Sequence, residues 1–158
     1  MFATLCYVQN HGQVLLQRKA AGLFGEGRWN APGGKLLEGE APESGAQREV
    51  LEETGSSVNG LRFHGLLNFY LGSTRRLDQA VFVFSCCEFK GVLQPNREGE
   101  LRWFSLDEMP YDRMWEDDRF WVPLLLDGKS FVGDFHFSAA YQRLIQYRLE
   151  LVNNSIAH

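Results

Sequence analysis

Alternating apolar and polar stretches predict strands in the first half of the chain. Residues 4–8 and 14–18 are rich in apolar residues and are separated by N-H-G-Q, a combination that predicts a β-hairpin. Residues 61–71 and 80–87 are rich in aromatic and β-branched residues and lie on either side of a polar segment. They predict a second antiparallel pair of strands.

The C-terminal part carries the clearest two-residue period. Every second residue in the range 145–151 is apolar and the residues between are polar, which predicts a half-buried strand. Residues 131–137 are its expected partner, and residues 101–104 predict a short strand earlier in the chain.

Two other segments predict helices. The first begins at Pro42 and runs to Thr54, where Gly55 can end it because glycine adopts the left-handed conformation without steric cost. The second covers residues 119–126, with Asp117 or Asp118 as its N-cap. Strands on both sides of a single long helix predict an α+β fold with a mixed sheet and helices packed on its faces. No repeat or linker interrupts residues 1–158, so we expect one domain.

Composition and charge narrow the possible partners. The 158 residues are 44% hydrophobic and carry a formal net charge of −4. A mildly acidic chain is a poor match for duplex nucleic acid or an anionic membrane. Cys6, Cys86 and Cys87 are odd in number and have no C-x-x-C spacing, which is typical of buried thiols in a reducing compartment. With no visible signal peptide or membrane segment, we expect a cytoplasmic protein. We also expect a monomer that acts on a small-molecule nucleotide.

Residues 48–55, R-E-V-L-E-E-T-G, concentrate acids on one face of the predicted first helix. Glu49, Glu52 and Glu53 fall within roughly a 100° arc, although like charges at this spacing oppose helix formation. One interpretation is a solvated face on which Arg48 bridges to Glu52. The other is a cradle for Mg²⁺ or Mn²⁺, hard ions that prefer oxygen ligands and that bridge carboxylates to phosphates.

The residues before this helix favour the cradle. Gly34 is followed after five residues by Glu40, and after seven more by Arg48-Glu49 and the rest of the segment to Gly55. This pattern resembles the Nudix box, the signature of the Nudix hydrolases. Two neighbours depart from the family: Ser56 stands where a bulky aliphatic residue is usual, and Ala41 where a Ser or Thr cap is common.

The resemblance implies a fold, a cofactor and a set of roles. The fold is a Nudix-type α/β/α sandwich with a mixed, mainly antiparallel sheet and a catalytic loop-helix-loop, and the cofactor is Mg²⁺, with Mn²⁺ as an alternative. Arg48 would orient Glu49, Glu40 would brace the loop, and Gly34 and Gly55 would be structural. The metal ligands implied by the family pattern are Glu49, Glu52, Glu53 and the carbonyl of Gly33.

Two further assignments leave alternatives open. The family often draws one more acid from a loop before a W-F strand, and here Glu98 and Glu100 are both available, with Glu100 preferred over a plain solvated turn. Lys35, directly after the glycine pair, is a candidate phosphate contact or an exposed loop lysine.

The stretches F-G-E-G-R-W-N, residues 24–30, and M-W-E-D-D-R-F-W, residues 114–121, resemble the MutT-like oxidised purine nucleoside triphosphatases. That resemblance implies an enzyme that hydrolyses substrates such as 8-oxo-dGTP and that has a pocket for the base of the substrate. Each residue has a plainer alternative: the aspartates could cap a helix, and the phenylalanine at 24 could anchor its loop. The residues implied for the pocket are Asn30, Phe24, Phe69, Trp115, Asp117 and Asp118.

Three functions therefore remain to be compared. The first is hydrolysis of oxidised purine nucleoside triphosphates to the monophosphate and pyrophosphate, which cleanses the nucleotide pool. The second is a Nudix enzyme for another substrate, such as a nucleotide sugar, a dinucleoside polyphosphate or an RNA 5′ end. The third, a non-catalytic binding module, is disfavoured because every carboxylate of the box is present.

Overall fold

Eleven strands and two α-helices form the fold in the computed structural model, which describes residues 1–94, 97 and 99–153. The helices are α1 (Pro42–Thr54) and α2 (Asp118–Leu126). The strands are β1 (Phe2–Asn10), β2 (Gln13–Lys19), β3 (Trp29–Asn30), β4 (Gly33–Lys35), β5 (Ser57–Asn59), β6 (Arg62–Leu71), β7 (Arg76–Cys86), β8 (Glu88–Lys90), β9 (Gly99–Ser105), β10 (Ser130–Phe137) and β11 (Leu144–Val152).

Nine of these strands form one mixed sheet in the order β11-β10-β6-β7-β1-β2-β3, with β4 paired to β1 and β9 paired to β2. The pairs β1–β7 and β10–β6 are parallel and the other pairs of this sheet are antiparallel. The sheet divides at β1, which pairs with β4 over its first half and with β2 at its end. The glycine pair on β4 is thereby placed beside the middle of the sheet.

Alternate residues of β1 point into two separate cores. Cys6 and Val8 belong to a cluster that contains Val50 of α1. Tyr7, between them, makes an edge contact with Trp121 of α2, with ring centroids 5.7 Å apart. Because successive side chains of a strand face opposite sides of the sheet, the two helices cover opposite faces. The predicted α+β sandwich with a mixed sheet is confirmed.

The predicted C-terminal strand exists, but its predicted burial is wrong. β11 pairs with β10 as expected, yet Ile145, Tyr147 and Leu151 are 56%, 45% and 58% exposed. The reason is position: β11 is the outermost strand of the sheet, and α2 packs mainly on its neighbour β10, reaching β11 through the stacked rings of Phe120 and Tyr147. Alternation therefore identified the strand without identifying what covers it.

The expectation of buried thiols holds for two of the three cysteines. Cys6 and Cys86 are buried with their sulfur atoms 4.0 Å apart, whereas Cys87 is exposed. Cys87 follows directly after the last residue of β7, which explains why it leaves the core. Within the described residues, every helix is too short or too polar to traverse a lipid bilayer.

Candidate active site

Helix α1 presents the acidic face as the sequence predicts. Pro42 occupies the start, and Gly55 ends the helix at φ 77°, donating its N–H to the carbonyl of Leu51. Ala41 makes no side-chain cap, so the helix begins without the hydrogen bond that Ser or Thr would supply.

Arg48 lies at the centre of the acidic face. Its Nε and Nη2 donate to the two oxygens of Glu40 at 2.8 and 2.9 Å, a bidentate pair. Its Nη1 donates to Glu49 at 2.9 Å and to Glu52 at 3.3 Å, and Nη2 also reaches the carbonyl of Lys35. One guanidinium thus gathers three carboxylates and the loop before the helix.

The carboxylate of Glu40 is held by several hydrogen bonds. The hydrogen bonds from Arg48, together with one from the backbone N–H of Leu37, lower the pKa of Glu40 to about 2. Glu40 therefore stays charged at any physiological pH and ties the loop to α1, as its expected bracing role requires.

The glycine pair lets the loop approach the helix closely. A Cβ on Gly34 would lie 2.6 Å from the carboxyl carbon of Glu49, so a side chain there would displace this carboxylate. A Cβ on Gly33 would lie 2.0 Å from the backbone carbonyl oxygen of Thr4. Gly33 donates its backbone N–H to Glu53 Oε1 at 3.0 Å. The loop and the acidic face consequently form one continuous surface.

Lys19, at the end of β2, is a site residue that the sequence did not single out. Its Nζ lies 3.8 Å from Oε2 of Glu53, whose side chain is only 5% exposed. A buried carboxylate requires such a partner, because desolvation of an uncompensated charge is costly. The only signal in the sequence was a lysine before a glycine-rich loop, which is too common to be specific.

Four carboxylates converge on this surface. They belong to Glu40, Glu49, Glu52 and Glu53, and the cations of Arg48 and Lys19 contact them. No three His, Cys, Asp or Glu side chains of the described residues are arranged as a ready metal site.

The donor set nevertheless fits a hard divalent cation. It consists of oxygen atoms alone, and carboxylates supply most of them. The groups available to such an ion are the carboxylates of Glu49, Glu52 and Glu53 and the carbonyl of Gly33.

The additional acid implied by the family pattern, Glu100, is held by arginine side chains. Glu100 lies on β9 opposite Arg18 of β2, and its carboxylate contacts Arg18 and Arg102, both at 3.5 Å. Glu98 lies outside the described residues. The preference for Glu100 stays a prediction.

A pocket of about 190 Å³ opens beside the glycine pair. This volume is below the roughly 300–1,000 Å³ of pockets that enclose a drug-sized ligand, so it suits one part of a larger molecule. Phe24 stacks on Trp115 with centroids 5.1 Å apart, although Phe24 itself is 64% exposed. The aromatic lining consists of Phe24, Phe69, Trp115 and Tyr141, and the polar lining side chains are Thr4, Lys19, Asn30, Gln79 and Asp117.

Asp117 and Asp118 are buried at the start of α2, 3% and 2% exposed. Neither acts as a side-chain cap. Asp117 accepts a hydrogen bond from Trp121 Nε1 at 2.7 Å, and Asp118 accepts one from the backbone N–H of Trp115 at 3.1 Å. Burial raises the pKa of Asp117 to about 6, and burial together with the neighbouring charge of Asp117 also raises the pKa of Asp118 well above its usual range. The pair can therefore offer both a proton donor and an acceptor near neutral pH.

Comparison with known proteins agrees with this arrangement. Residues 2–125 match the family model described as the NUDIX domain. The chain belongs to the Nudix family. It is 41% identical to the oxidized purine nucleoside triphosphate hydrolase of Mus musculus, covering 96% of this chain and 95% of the relative. The Danio rerio protein of the same name is 38% identical with the same coverage.

A solved structure extends the comparison to the fold. The MutT protein from Bacillus halodurans superposes with a TM-score of 0.83 at 30% identity, over 94% of this chain and 97% of that one. The match covers nearly the whole of both chains, so the Nudix fold accounts for both halves of the divided sheet.

The structure brings most of the sequence-predicted residues of this Nudix protein to one place. Phe24, Phe69, Trp115, Asn30 and Asp117 line the pocket, together with Gly33 and Gly34 of β4. Asp118, the next residue, is buried and is not one of the lining residues. Lys35 is exposed and borders a different groove, which Phe2 and Leu36 also line. The lining residues that the sequence did not predict include Lys19, Gln79 and Tyr141.

The buried aspartates should make stability depend on pH. A raised carboxyl pKa means that the folded state holds the proton more tightly than the unfolded chain, so stability falls as pH rises from about 4 to about 6. Asp117→Asn should reduce this dependence, leaving the part due to Asp118, and stabilise the protein above pH 6 by roughly 1–3 kcal/mol. Urea unfolding between pH 4 and 8 measures it. Asp112→Asn, at an exposed position, is the control, and an unchanged pH profile in Asp117→Asn would contradict the assignment.

Proposed function

We propose that this Nudix hydrolase converts oxidised purine nucleoside triphosphates, such as 8-oxo-dGTP, to the monophosphate and pyrophosphate, and so cleanses the nucleotide pool. The observation that carries the proposal is the junction of the pocket with the acidic helix. Lys19, Gly33 and Gly34 all line the pocket, and all three touch or border the carboxylates of α1. A base in the pocket would leave its phosphates over the acidic face.

The pocket suits a purine that carries extra N–H groups. Aromatic faces such as Trp115 stack on any base, with roughly 1–3 kcal/mol per base, so discrimination must come from hydrogen bonds. Oxidation at C8 turns purine N7 from an acceptor into a donor. A carboxylate at Asp117 accepts from such a donor. Asn30 has its Oδ1 engaged by the N–H of Ala31, which leaves its amide N–H groups for a base oxygen.

At the phosphate end we propose that Glu49, Glu52 and Glu53 hold Mg²⁺, or Mn²⁺ in its place. When bound, the cation supplies an activated water and neutralises charge on the phosphates. Arg48 keeps Glu49 and Glu52 converged on the same region, and Lys19 holds the buried oxygen of Glu53. Glu100 remains the proposed extra acid. Lys35 stays a proposed phosphate contact.

Magnesium should stabilise the folded protein. Because the unfolded chain has no preformed cluster of carboxylates, Mg²⁺ at about 100 times its Kd should raise Tm by roughly 5–10 °C. Thermal scans with MgCl₂, and with NaCl at equal ionic strength, measure this effect. Glu53→Gln should show a much smaller shift, and an equal shift in both proteins would count against metal binding at α1.

A substrate panel tests the proposed function. The wild-type enzyme is assayed with 8-oxo-dGTP, 2-hydroxy-dATP, dGTP, a nucleotide sugar and a dinucleoside polyphosphate, and pyrophosphate is distinguished from phosphate release. We expect oxidised purines to have the highest kcat/KM and pyrophosphate to be the product. A higher kcat/KM for a nucleotide sugar or dinucleoside polyphosphate would instead support the second function. We further expect the enzyme to act as a cytoplasmic monomer on small nucleotides, which size-exclusion chromatography and fractionation check.

A further inference from the structure

Three polar side chains form a hydrogen-bonded chain at the pocket, two of them from β7 and one from the turn between β10 and β11. The hydroxyl of Tyr141 donates to Asp78 Oδ2 at 2.6 Å, and Nε2 of Gln79 donates to the oxygen of Tyr141 at 2.9 Å. Gln79 and Tyr141 both line the pocket. Gln79 also lies directly across from Phe69 in the β6–β7 pair, so the two side chains share the face on which the pocket opens.

This chain fixes which way the amide of Gln79 points. An ionised carboxylate only accepts hydrogen bonds, so the hydroxyl proton of Tyr141 is committed to Asp78. Burial, and then this hydrogen bond, raise the pKa of Tyr141, which keeps the hydroxyl protonated. The oxygen of Tyr141 can then only accept, and Gln79 must face it with its NH₂ group. The carbonyl Oε1 of Gln79 is turned away, and in the described part of the chain it receives no hydrogen bond.

Tyr141 is held in place at a conformational cost. Ala140 and Tyr141 both adopt the left-handed region, at φ 59° and 57°, which residues with side chains rarely occupy. The ring of Tyr141 contacts Phe24 and Trp115 at centroid distances of 5.5 and 5.7 Å, so it packs against the aromatic lining. Such conformations persist only where surrounding contacts enforce them, and they concentrate at functional sites.

We propose that Gln79 is a specificity-determining residue whose carbonyl oxygen accepts a hydrogen bond from an N–H of the purine in the pocket, and that Tyr141 and Asp78 are positioning residues that orient it. The inference rests on the proposed function, because it takes the pocket to hold a purine. The base would then meet an acceptor from β7 as well as the groups at the start of α2. Purines rich in N–H donors would gain most.

Two conservative substitutions test the inference. Gln79→Met keeps the length of the side chain and removes the acceptor, and Tyr141→Phe keeps the ring and removes the hydroxyl. Gln79→Met should raise KM for the preferred oxidised purine about 3–10-fold and leave kcat within about 2-fold, because one neutral hydrogen bond is lost away from the phosphates. Tyr141→Phe should give a smaller change of the same kind. Since both act through one amide, the double variant should be no worse than Gln79→Met.

Controls separate this outcome from a loss of packing and from failure of the proposed function. Tyr70→Phe and Gln146→Met, in a separate cavity on the sheet, should leave KM and the substrate preference unchanged. A wild-type KM and preference in Gln79→Met, or additive effects that are equal for all nucleotides, would overturn the inference. If wild-type enzyme does not prefer oxidised purines, the proposed function fails by itself. Calorimetric binding of dGMP and dAMP then decides the inference: unequal weakening in Gln79→Met supports it, and equal binding by wild type and Gln79→Met refutes it.

Discussion

Glu53→Gln is expected to lower turnover of every nucleotide substrate together, by roughly 10²-fold or more. The side chain of Glu53 is buried between the N–H of Gly33 and the ammonium of Lys19, at the point where the pocket meets the acidic helix. Replacing one carboxylate oxygen by an NH₂ group keeps the shape of the side chain but removes a negative charge from the proposed cation site. Steady-state kcat at saturating Mg²⁺, for an oxidised purine and for dGTP, measures the loss.

Two controls make this result specific. Glu43→Gln changes an exposed acid in the first turn of the same helix and should leave kcat unaltered. Chelation of the wild-type enzyme with EDTA should abolish activity, which excess Mg²⁺ then restores. Near-normal turnover in Glu53→Gln, or full activity in chelator, would refute the metal-assisted mechanism.

Helix α1 could be predicted because its information is local. Pro42 and Gly55 mark its ends, and the spacing of Glu49, Glu52 and Glu53 fixes which side chains share a face. The match to the family signature added the loop before the helix. These features depend on neighbours within about twenty residues, so one sequence contains them.

Features formed by residues far apart in the chain could not be predicted in the same way. Lys19 meets Glu53 only because the sheet divides at β1 and brings the end of β2 beside the glycine pair. Tyr141 meets Gln79 across 62 residues. The exposure of β11 likewise depends on which strand α2 covers. These two contacts and the exposure of β11 all depend on the order in which the strands pair in the sheet, which no local pattern encodes.

The aspartate pair shows a case in which the sequence left two roles open. A helix cap and a base contact both place a carboxylate at the start of α2, and the sequence cannot separate them. The structure disfavours the cap, because neither Asp117 nor Asp118 makes a capping hydrogen bond. Both are buried instead, one against Trp121 and one against the backbone of Trp115. A buried acid with a raised pKa beside a pocket is typical of a functional site.

Asp117→Asn should therefore make the protein more stable above pH 6 and less selective at the same time. Losing one or two hydrogen bonds to the base, each about 1.5–3 kcal/mol where a charge takes part, should lower kcat/KM for the preferred oxidised purine by roughly 10–150-fold. A poor substrate such as dGTP never made those bonds and should be largely spared, so the preference ratio shrinks. Asn30→Ala should act in the same direction from the β3 side of the pocket. Asp118→Asn tests whether the second carboxyl contributes directly or through Asp117.

The measurement is kcat/KM for 8-oxo-dGTP, 2-hydroxy-dATP and dGTP in the three variants, with Asp112→Asn as the matched exposed control. If the carboxylate contributes to stability alone, the opposite combination is expected: Asp117→Asn should be less stable and should keep the same ratio of kcat/KM values between the oxidised purine and dGTP. If Asp117 is kept for ligand binding at the expense of stability, its replacement by Asn should give a more stable and less selective protein. Unchanged ratios in all three folded variants would rule out base recognition by these side chains and leave a Nudix hydrolase whose substrate lies elsewhere in the family.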